Sequence, residues 1–488
     1  LLDWAYQIDI SKEQQMNLPK IFKVACHTDN VGQGSTFVAV LGATSNGTLY
    51  INKALDRGAT TVVVEHDVQL DQELLNRCLK EDISITRVDN ARLALAQLSA
   101  KAYDNPADKL KIIGITGTKG KTTSVYLLHH VLKQAGKKVA MLTGVENKIG
   151  DESFSAQLTT PHPDYIHMFF AQCVGEGVEY VVMEASAQGF SLHRLETIFF
   201  AAMVFTNFSL EHSEFYADIE DYFEAKCQIF EHCRENAPRI VNADDTWVKK
   251  IMSAYKNLIT TGISTNAAIT GRLCRADMAG LKMDITYGSH VLTLESNTVV
   301  GSYNAENILG VFACALKLGI DPEVIKDALE SFRVVPGRLE RFELDNEVVV
   351  VVDYAHNPSS FQALFSMLHS NTKDLSVVFG CGGGRDTSKR PIMGELAARY
   401  CNKVYLTTDN PRNEDPESIV QDILLGIPNE KQGSVVIEHD RAKAIARAVQ
   451  NARPGGIVAI LGKGPDEYQL VGSTKTFFSD KQQVRKLC

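Results

Sequence analysis

The chain has 488 residues, too many for one ordinary hydrophobic core, and 44% hydrophobic with 22% charged residues is the composition of a globular protein. A formal charge of −9 offers no basic surface for a nucleic-acid backbone, and no apolar run approaches the roughly 18 residues needed to span a bilayer, so neither nucleic acid nor membrane is an expected partner. Ten cysteines without CxxC spacing read as reduced thiols of a cytoplasmic protein rather than as a disulfide framework or zinc site. The chain opens at Leu1 without a methionine, so its natural start is expected upstream.

In chain order, the apolar segments Thr36–Leu41 and Thr60–Val64, the helical-looking Leu49–Arg57 and the amphipathic Ala91–Ala102 predict a small mixed α/β domain. Asn105-Pro106 in the polar stretch 103–109 breaks the pattern, because a proline restricts the residue before it to extended backbone. Next come Ile112–Thr116, Val178–Met183 and Ala201–Thr206, apolar runs of the kind buried on both faces of a parallel sheet, whose carboxyl ends should gather ligands. A second break falls at Val335-Pro336-Gly337. Beyond it, Val348–Val352, Leu375–Phe379, Lys403–Leu406 and Gly456–Leu461 alternate with helical stretches such as Glu395–Tyr400 and Arg441–Gln450, a Rossmann-like pattern. The expected organisation is α/β in three domains, at 1–106, 107–335 and 336–488.

The chemistry begins at Gly114-Ile115-Thr116-Gly117-Thr118-Lys119-Gly120-Lys121-Thr122-Thr123, where G-x-x-x-x-G-K-T follows a strand and precedes the helical run Ser124–Gln134. Glycines let backbone N–H groups turn toward phosphate oxygens, the helix N-terminus adds a favourable field, Lys121 can neutralise β- and γ-phosphates, and Thr122 can ligate Mg²⁺. Gly117 through Thr123 are the expected ATP contacts; a plain Gly-rich helix cap is the alternative. Glu184 ends the second strand of this sheet, placed to hold a divalent ion, and His212 lies in a loop after the third.

With Tyr222-Phe223-Glu224-Ala225-Lys226 on the following helix, these motifs resemble the Mur ligase superfamily. The resemblance covers nearly the whole chain. It implies that Lys226 is carbamylated: an ammonium cannot hold a cation, but a carbamate offers two anionic oxygens. Thr122, Glu184, His212 and Lys226 are then the implied Mg²⁺ ligands, with Lys121, Glu184, His212 and Lys226 as the catalytic set. Gly301-Ser302-Tyr303-Asn304-Ala305-Glu306-Asn307 matches the family's asparagine segment, so Asn304 and Asn307 are implied nucleotide contacts, although Asn304 could instead cap a helix. Pro336-Gly337-Arg338-Leu339-Glu340 matches an interdomain motif that gives Arg338 the γ-phosphate or ribose, and Asp353-Tyr354-Ala355-His356 gives Asp353 the ribose hydroxyls.

The same resemblance implies a UDP-sugar-binding first domain, an ATP-binding second and an amino-acid-binding third. Thr28 occupies a serine position of the nucleotide-sugar site, with Asp29 where arginine is usual. Thr159, Thr160, Ser186 and Arg194 match positions that hold a muramoyl-dipeptide; Ala187-Gln188 replaces the more usual Ser-His, and a His-Pro insertion follows Pro161. The acceptor is signalled by Gly380-Cys381-Gly382-Gly383-Gly384-Arg385-Asp386 and by Asp409-Asn410-Pro411-Arg412, whose arginines match a pair reading a distal carboxylate, as a diamino dicarboxylate carries and lysine does not. Gly462 and Asp466 complete the set within Gly462-Lys463-Gly464-Pro465-Asp466, where Pro465 and Asp466 replace His and Glu.

The implied activity is ATP-dependent ligation of meso-diaminopimelate to a UDP-N-acetylmuramoyl-dipeptide through an acyl phosphate, by a cytoplasmic monomer. L-lysine and lanthionine are alternative acceptors. A folylpolyglutamate-like ligase, a paralogue that has lost ligation and a generic phosphate-loop kinase are the rival readings.

Overall fold

The computed structural model describes residues 17–42, 45–209 and 215–487. They gather into two compact units, one holding the described residues up to Thr116 with Gly136–Met203 and Ala225–Ala237, the other Gly117–Ala135, Val204–Glu224 and the chain from Pro238 onward.

In the first unit, strands Val24–Ala25, Thr36–Val38, Thr61–Glu65 and Ser84–Val88 form a four-stranded sheet, parallel throughout and in sequence order. The strand expected at Thr36–Leu41 ends at Val38, and the helix expected at Leu49–Arg57 resolves into a 3₁₀ turn, Gly47–Tyr50, capped by Asn46 Oδ1 on Thr48 N–H at 3.0 Å, followed by Ile51–Asp56. Helix Ala91–Ala102 falls where its pattern predicts, because Asn90 Oδ1 accepts from the N–H groups of Arg92 and Leu93. The same unit carries strands Lys111–Thr116 and Tyr180–Glu184, paired in parallel, with Val139–Leu142 parallel on the far side of Tyr180–Glu184, and a hairpin, Glu146–Ile149 with Glu152–Ser155. Every residue of Tyr180–Glu184 is buried, including the terminal carboxylate.

In the second unit, Arg239–Asn242, Leu258–Gly262 and Ile269–Asp277 pair in parallel, and the last continues into the antiparallel strands Gly280–Tyr287 and His290–Ser296. This meander has no counterpart in the expectations, which follow continuous apolar runs; its signal is instead alternation, with Leu281, Met283 and Ile285 and then Leu292 and Leu294 buried between more exposed neighbours. A six-stranded sheet follows, ordered Glu340–Glu343, Val349–Asp353, Ile457–Leu461, Leu375–Phe379, Lys403–Leu406, Val435–Ile437. Only the first of these strands is antiparallel to its neighbour. Leu375–Phe379 and Lys403–Leu406 lie where the sequence puts them, and the predicted Glu395–Tyr400 is the end of a longer helix, Lys389–Tyr400. One face of this sheet packs Phe361, Phe365 and Phe379, with Phe361 edge-on to the other two at 5.0 and 5.1 Å. Burying each such ring contributes roughly 1.5–3 kcal/mol. Among the described residues no helix is long and apolar enough to cross a membrane, and nine cysteines are free.

The short C-terminal helix Asp480–Arg485 is fastened by a buried ion pair. Arg441 Nε and Nη2 donate to the two Asp480 carboxylate oxygens at 2.6 and 2.7 Å, with both side chains fully buried, and Nη2 also donates to the Leu461 carbonyl at 2.9 Å. An unpaired buried guanidinium costs far more than the pair contributes. Asp480→Ala is therefore expected to lower stability by roughly 3–5 kcal/mol in denaturant titration, with Arg441→Met in the same chain recovering much of the loss.

Candidate active site

Three groups of the sequence-predicted residues come together, each within one unit. The first is the phosphate loop. Strand Lys111–Thr116 runs into Gly117 at φ 138° and Gly120 at φ 81°, and helix Lys121–Gln134 starts immediately, three residues earlier than its apolar pattern suggests. The glycines are required by close approach as well as by dihedral angle: a Cβ on Gly117 would overlap Thr206 Oγ1, and one on Gly120 would overlap Asn307 Oδ1. The loop is braced from the 206–209 segment. Thr118 N–H donates to the Asn207 carbonyl at 2.9 Å, Lys119 N–H to Asn207 Oδ1 at 2.9 Å, and Thr206 Oγ1 to the Lys119 carbonyl at 2.6 Å. Lys121 Nζ curls back onto the Gly117 and Thr118 carbonyls at 2.8 Å each, which keeps the ammonium inside the loop, and Thr122 is buried just behind it. Asn304 is not a helix cap. It lies in the first turn of helix Ser302–Lys317, donates back to the Val300 carbonyl at 2.8 Å, and accepts from Asn307 Nδ2 at 2.9 Å, which orients the amide that meets Gly120. Sequence reading missed Thr206 and Asn207 as loop supports; their only signal is polarity at a strand end.

The second group belongs to the first unit. Thr160 Oγ1 donates to the Glu184 carbonyl at 2.9 Å, lies 2.9 Å from Ser186 Oγ, and accepts from the Ser186 N–H at 3.1 Å. Ser186 caps helix Ala187–Ser191 by accepting from Gly189 N–H at 3.1 Å, and Arg194 Nη1 donates to the Thr160 carbonyl at 2.8 Å. Glu184, 2% exposed, accepts from the Gly144 N–H at 3.0 Å, and Thr159 Oγ1 borders Gly144 as well. Arg194 Nε is buried without a partner, and burial, with Arg92 nearby, holds the guanidinium below its ordinary value. A cation held this way is short of an anion. Thr28 opens a 3₁₀ turn two residues after Cys26, whose N–H donates to Asp164 Oδ2 at 3.0 Å. Burial first, then Asp164, pushes the Cys26 thiol well up. Asp29 is matched by a cation that sequence reading missed: Arg57 Nη1 donates to Asp29 Oδ1 at 2.7 Å and to the Thr28 carbonyl at 2.5 Å.

Lys226, on helix Ile219–Cys227, is 1% exposed, so it is not the solvated helix lysine that its spacing alone would suggest. His212 lies outside the described residues. Among the described residues no three His, Cys, Asp or Glu side chains form a ready metal cage. The buried Thr122 hydroxyl and the buried Glu184 carboxylate, each within its own unit, are hard oxygen donors of the kind Mg²⁺ takes.

The third group is built at the carboxyl ends of the six-stranded sheet. Asp353 accepts from the N–H groups of Leu339 and Ala355 at 2.9 and 2.7 Å, which pins the Pro336–Glu340 turn to its strand end, and burial pushes its carboxyl up although Arg338 and these two bonds oppose that. Arg338 lies 4.6 Å over the Tyr354 ring with its Nε buried and unpaired, and Gly337 packs so closely on Gly464-Pro465 that a Cβ would overlap the Pro465 nitrogen. A Cβ on Gly382 would lie 3.1 Å from Arg412 Nη1 and 3.8 Å from Arg385 Cγ, so the two predicted arginines flank one glycine. Arg412, at φ 54°, donates to the Gly383 carbonyl at 2.8 Å, whereas Arg385 is exposed and has no protein partner among the described residues. Pro411 contributes its carbonyl, which closes on Gly383. The charges of Asp466, Arg412, Asp409 and Arg385 all reach the Tyr468 hydroxyl. Asp409 Oδ1 lies 3.8 Å from the fully buried Lys463 Nζ, which donates to Asn410 Oδ1 at 3.2 Å, and a Cβ on Gly462 would lie 2.7 Å from Asp409 Oδ2. Burial raises Asp466 to about 6, with Lys463 pulling it down and Asp409 pushing it up. Lys463 is shifted downward, also by burial first.

Comparison with known proteins places the chain in a family. Residues 115–315 match the family profile described as Mur ligase middle domain, and residues 337–464 that of Mur ligase, glutamate ligase domain. The chain is 34% identical over 96% of its length, and 96% of the relative's, to a UDP-N-acetylmuramoyl-L-alanyl-D-glutamate--2,6-diaminopimelate ligase of Clostridium botulinum. A protein of the same name from Gloeobacter violaceus is 35% identical over 96% of this chain and 94% of its own. A solved structure of a ligase so named superposes with TM-score 0.63 at 26% identity, covering 96% of this chain and 94% of the other. The Thermotoga maritima MurF ligase in complex with ADP shares the fold, with TM-score 0.65, 19% identity, and coverage of 97% and 98%. The chain belongs to the Mur ligase family of ATP-dependent ligases of peptidoglycan synthesis.

Proposed function

We propose that the protein joins meso-2,6-diaminopimelate to the D-glutamate carboxylate of UDP-N-acetylmuramoyl-L-alanyl-D-glutamate, with ATP converted to ADP and phosphate. The observation that carries this reading is the third group: Arg412 and the stem of Arg385 flank Gly382, Arg385 has no protein partner among the described residues, and Tyr468 lies within electrostatic reach of both arginines and of Asp409 and Asp466. That arrangement suits an acceptor whose far end carries both a carboxylate and an ammonium, and it would leave Arg385 and Arg412 unmatched against lysine. The names of the relatives point the same way.

In this reading residues 1–106 take the UDP-sugar, 107–335 bind ATP, and 336–488 bring the amino acid. Thr28 takes part in holding the UDP end, and Thr159, Thr160, Ser186 and Arg194 hold the dipeptide, where the unpaired Arg194 Nε supports an anionic ligand. The substrate carboxylate attacks the γ-phosphorus, and within the Gly117–Thr123 loop the N–H groups at the helix start, with Lys121, take up the charge that moves onto the phosphate oxygens. Arg338 and Asp353 hold γ-phosphate and ribose, and Asn304 and Asn307 back the loop from the nucleotide side. The incoming amine, oriented by Arg385, Arg412, Asp409, Asn410, Pro411, Gly462 and Asp466, then adds to the acyl phosphate and expels phosphate. Thr122, Glu184, His212 and Lys226 as its carbamate would hold Mg²⁺, which screens the charge between the two anions. The burial of Lys226 supports this, because a ligand to an enclosed ion lies inside the protein rather than in solvent. Free cysteines and the absence of a membrane-spanning helix among the described residues accord with a cytoplasmic enzyme, which we take to be monomeric.

The reading is tested by incubating the protein with ATP, Mg²⁺ and the UDP-dipeptide, and following phosphate release and product mass. meso-Diaminopimelate should give product, with L-lysine and lanthionine far behind; preference for either of those overturns the acceptor assignment, and ADP formed without an amine makes the protein a kinase if the phosphoryl group stays on the UDP-dipeptide and a hydrolase if it is released as phosphate. Gly117→Ala should weaken binding of a non-hydrolysable ATP analogue by about tenfold to a hundredfold, since strain and overlap of this kind cost roughly 1–3 kcal/mol. The pH profile carries a sign. Asp466 is raised to about 6, so its carboxylate forms only as pH climbs through that value, and the KM for the diamino acid should fall between pH 5 and 7. Asp466→Asn should flatten that fall.

A further inference from the structure

The loops that carry Arg385 and Arg412 are joined by two residues to which the reaction above gives no part. Arg390, in the first turn of helix Lys389–Tyr400, is fully buried, and its Nη1 donates to Glu414 Oε1 at 2.6 Å and to Asp422 Oδ2 at 2.8 Å. Its Nη2 donates to Glu414 Oε2 at 2.8 Å and reaches the Gly382 carbonyl at 3.3 Å. Glu414 Oε2 accepts a further bond, from the Gly384 N–H at 3.0 Å. One carboxylate, two residues after Arg412, thus binds both the backbone one residue before Arg385 and the helix that follows it.

The backbone completes the brace. Gly383 N–H donates to the Asn410 carbonyl at 3.0 Å and Arg412 Nη1 donates to the Gly383 carbonyl at 2.8 Å, while Arg412 N–H and carbonyl bond to Leu470 and Gly472 at 3.0 and 2.7 Å. Gly384 sits at φ 61° with open space around its Cβ position, so its N–H can face Glu414 without the strain a side chain would bring. Arg412 Nη1 and the stem of Arg385 flank one glycine, and among the described residues no hydrogen bond ties the Arg385 side chain down.

We infer that Arg390 and Glu414 are positioning residues for the amino-acid acceptor: their bidentate pair fixes the separation of Arg385 and Arg412, and so sets the span of the diamino dicarboxylate the site accepts. This rests on the acceptor reading above. Arg390 holds the Glu414 carboxyl down at about 2, so the clamp stays charged throughout the working pH range. Arg390 and Glu414 touch no substrate in this account and act through the two loops.

The test uses the full chain and steady-state kinetics with each of the three substrates varied in turn. Glu414→Gln should raise the KM for meso-diaminopimelate by about tenfold or more while kcat and the KM values for ATP and the UDP-dipeptide stay within about twofold. Glu414→Asp, which keeps the charge and shortens its reach, should show the same split and serves if the Gln variant does not fold. Asp422→Asn is the control, because it removes a partner of Arg390 without touching the link to Gly384; it should lower the thermal midpoint and leave the acceptor KM alone. If Glu414→Gln instead lowers kcat and raises all three KM values together, the pair is only structural and the inference fails. If Arg385→Ala and Arg412→Ala raise the acceptor KM but Glu414→Gln and Glu414→Asp do not, the inference fails and the acceptor reading stands. If Arg385→Ala and Arg412→Ala leave the acceptor KM unchanged, both fall.

Discussion

The phosphate loop has its shape because two glycines leave no volume for a side chain. At Gly117 the backbone presses against Thr206 and Asn207, and at Gly120 against the Asn307 amide. The Thr118 and Lys119 N–H groups then donate to the Asn207 carbonyl and Oδ1, and Thr206 Oγ1 donates to the Lys119 carbonyl, so the loop is shaped before any nucleotide arrives. Preorganised dipoles stabilise transferred charge without the cost of reorganising at the moment of reaction. The asparagine pair in helix Ser302–Lys317 extends this constraint, since Asn304 orients Asn307 and Asn307 closes on Gly120.

The amino-acid-binding part obeys the same logic with charge in place of close approach. Buried ionic groups there are satisfied in linked sets: Arg441 with Asp480 and the Leu461 carbonyl, Lys463 with Asp409 and Asn410, Arg390 with Glu414 and Asp422. Each set ends on a loop at a strand's carboxyl end, where an open α/β sheet places its ligands. Arg385 stands outside these sets, and an unpaired guanidinium on a braced loop is what recognition of a carboxylate requires. Asp353 departs from its simplest reading. Its two oxygens accept backbone N–H groups, so it shapes the turn that presents Arg338.

Departures from the family pattern find partial answers in neighbouring residues. Asp29, where arginine is usual, is accompanied by Arg57 from the end of the next helix, so a guanidinium is still present beside Thr28. Gly384, where an acid is usual, adopts a left-handed backbone that glycine favours and gives its N–H to Glu414. Pro465 packs on Gly337, which ties the shortened Asp466 segment to the Arg338 turn. Nothing in the structure explains Gln188 in place of histidine.

Local pattern alone determined the apolar strands, the phosphate loop and the helices with clear caps, because a buried parallel strand needs a continuous apolar run and a phosphate-binding turn needs glycine at fixed spacing. Leu375–Phe379, Lys403–Leu406 and Ala91–Ala102 fall where that reasoning puts them. Resemblance to a family added the acceptor arginines and the buried lysine, which spacing would have left as surface charges. The antiparallel strands 280–296 went unread although Leu281, Met283, Ile285, Leu292 and Leu294 alternate with more exposed residues, because a half-exposed meander shows alternation rather than a continuous apolar run. Tertiary structure alone decided that Arg57 meets Asp29, that Thr160, Glu184 and Ser186 share one hydroxyl network, and that Glu414 reaches Gly384, 30 residues away. Such pairings join residues distant in sequence, and only the packing of the elements that carry them sets which charges and amides meet.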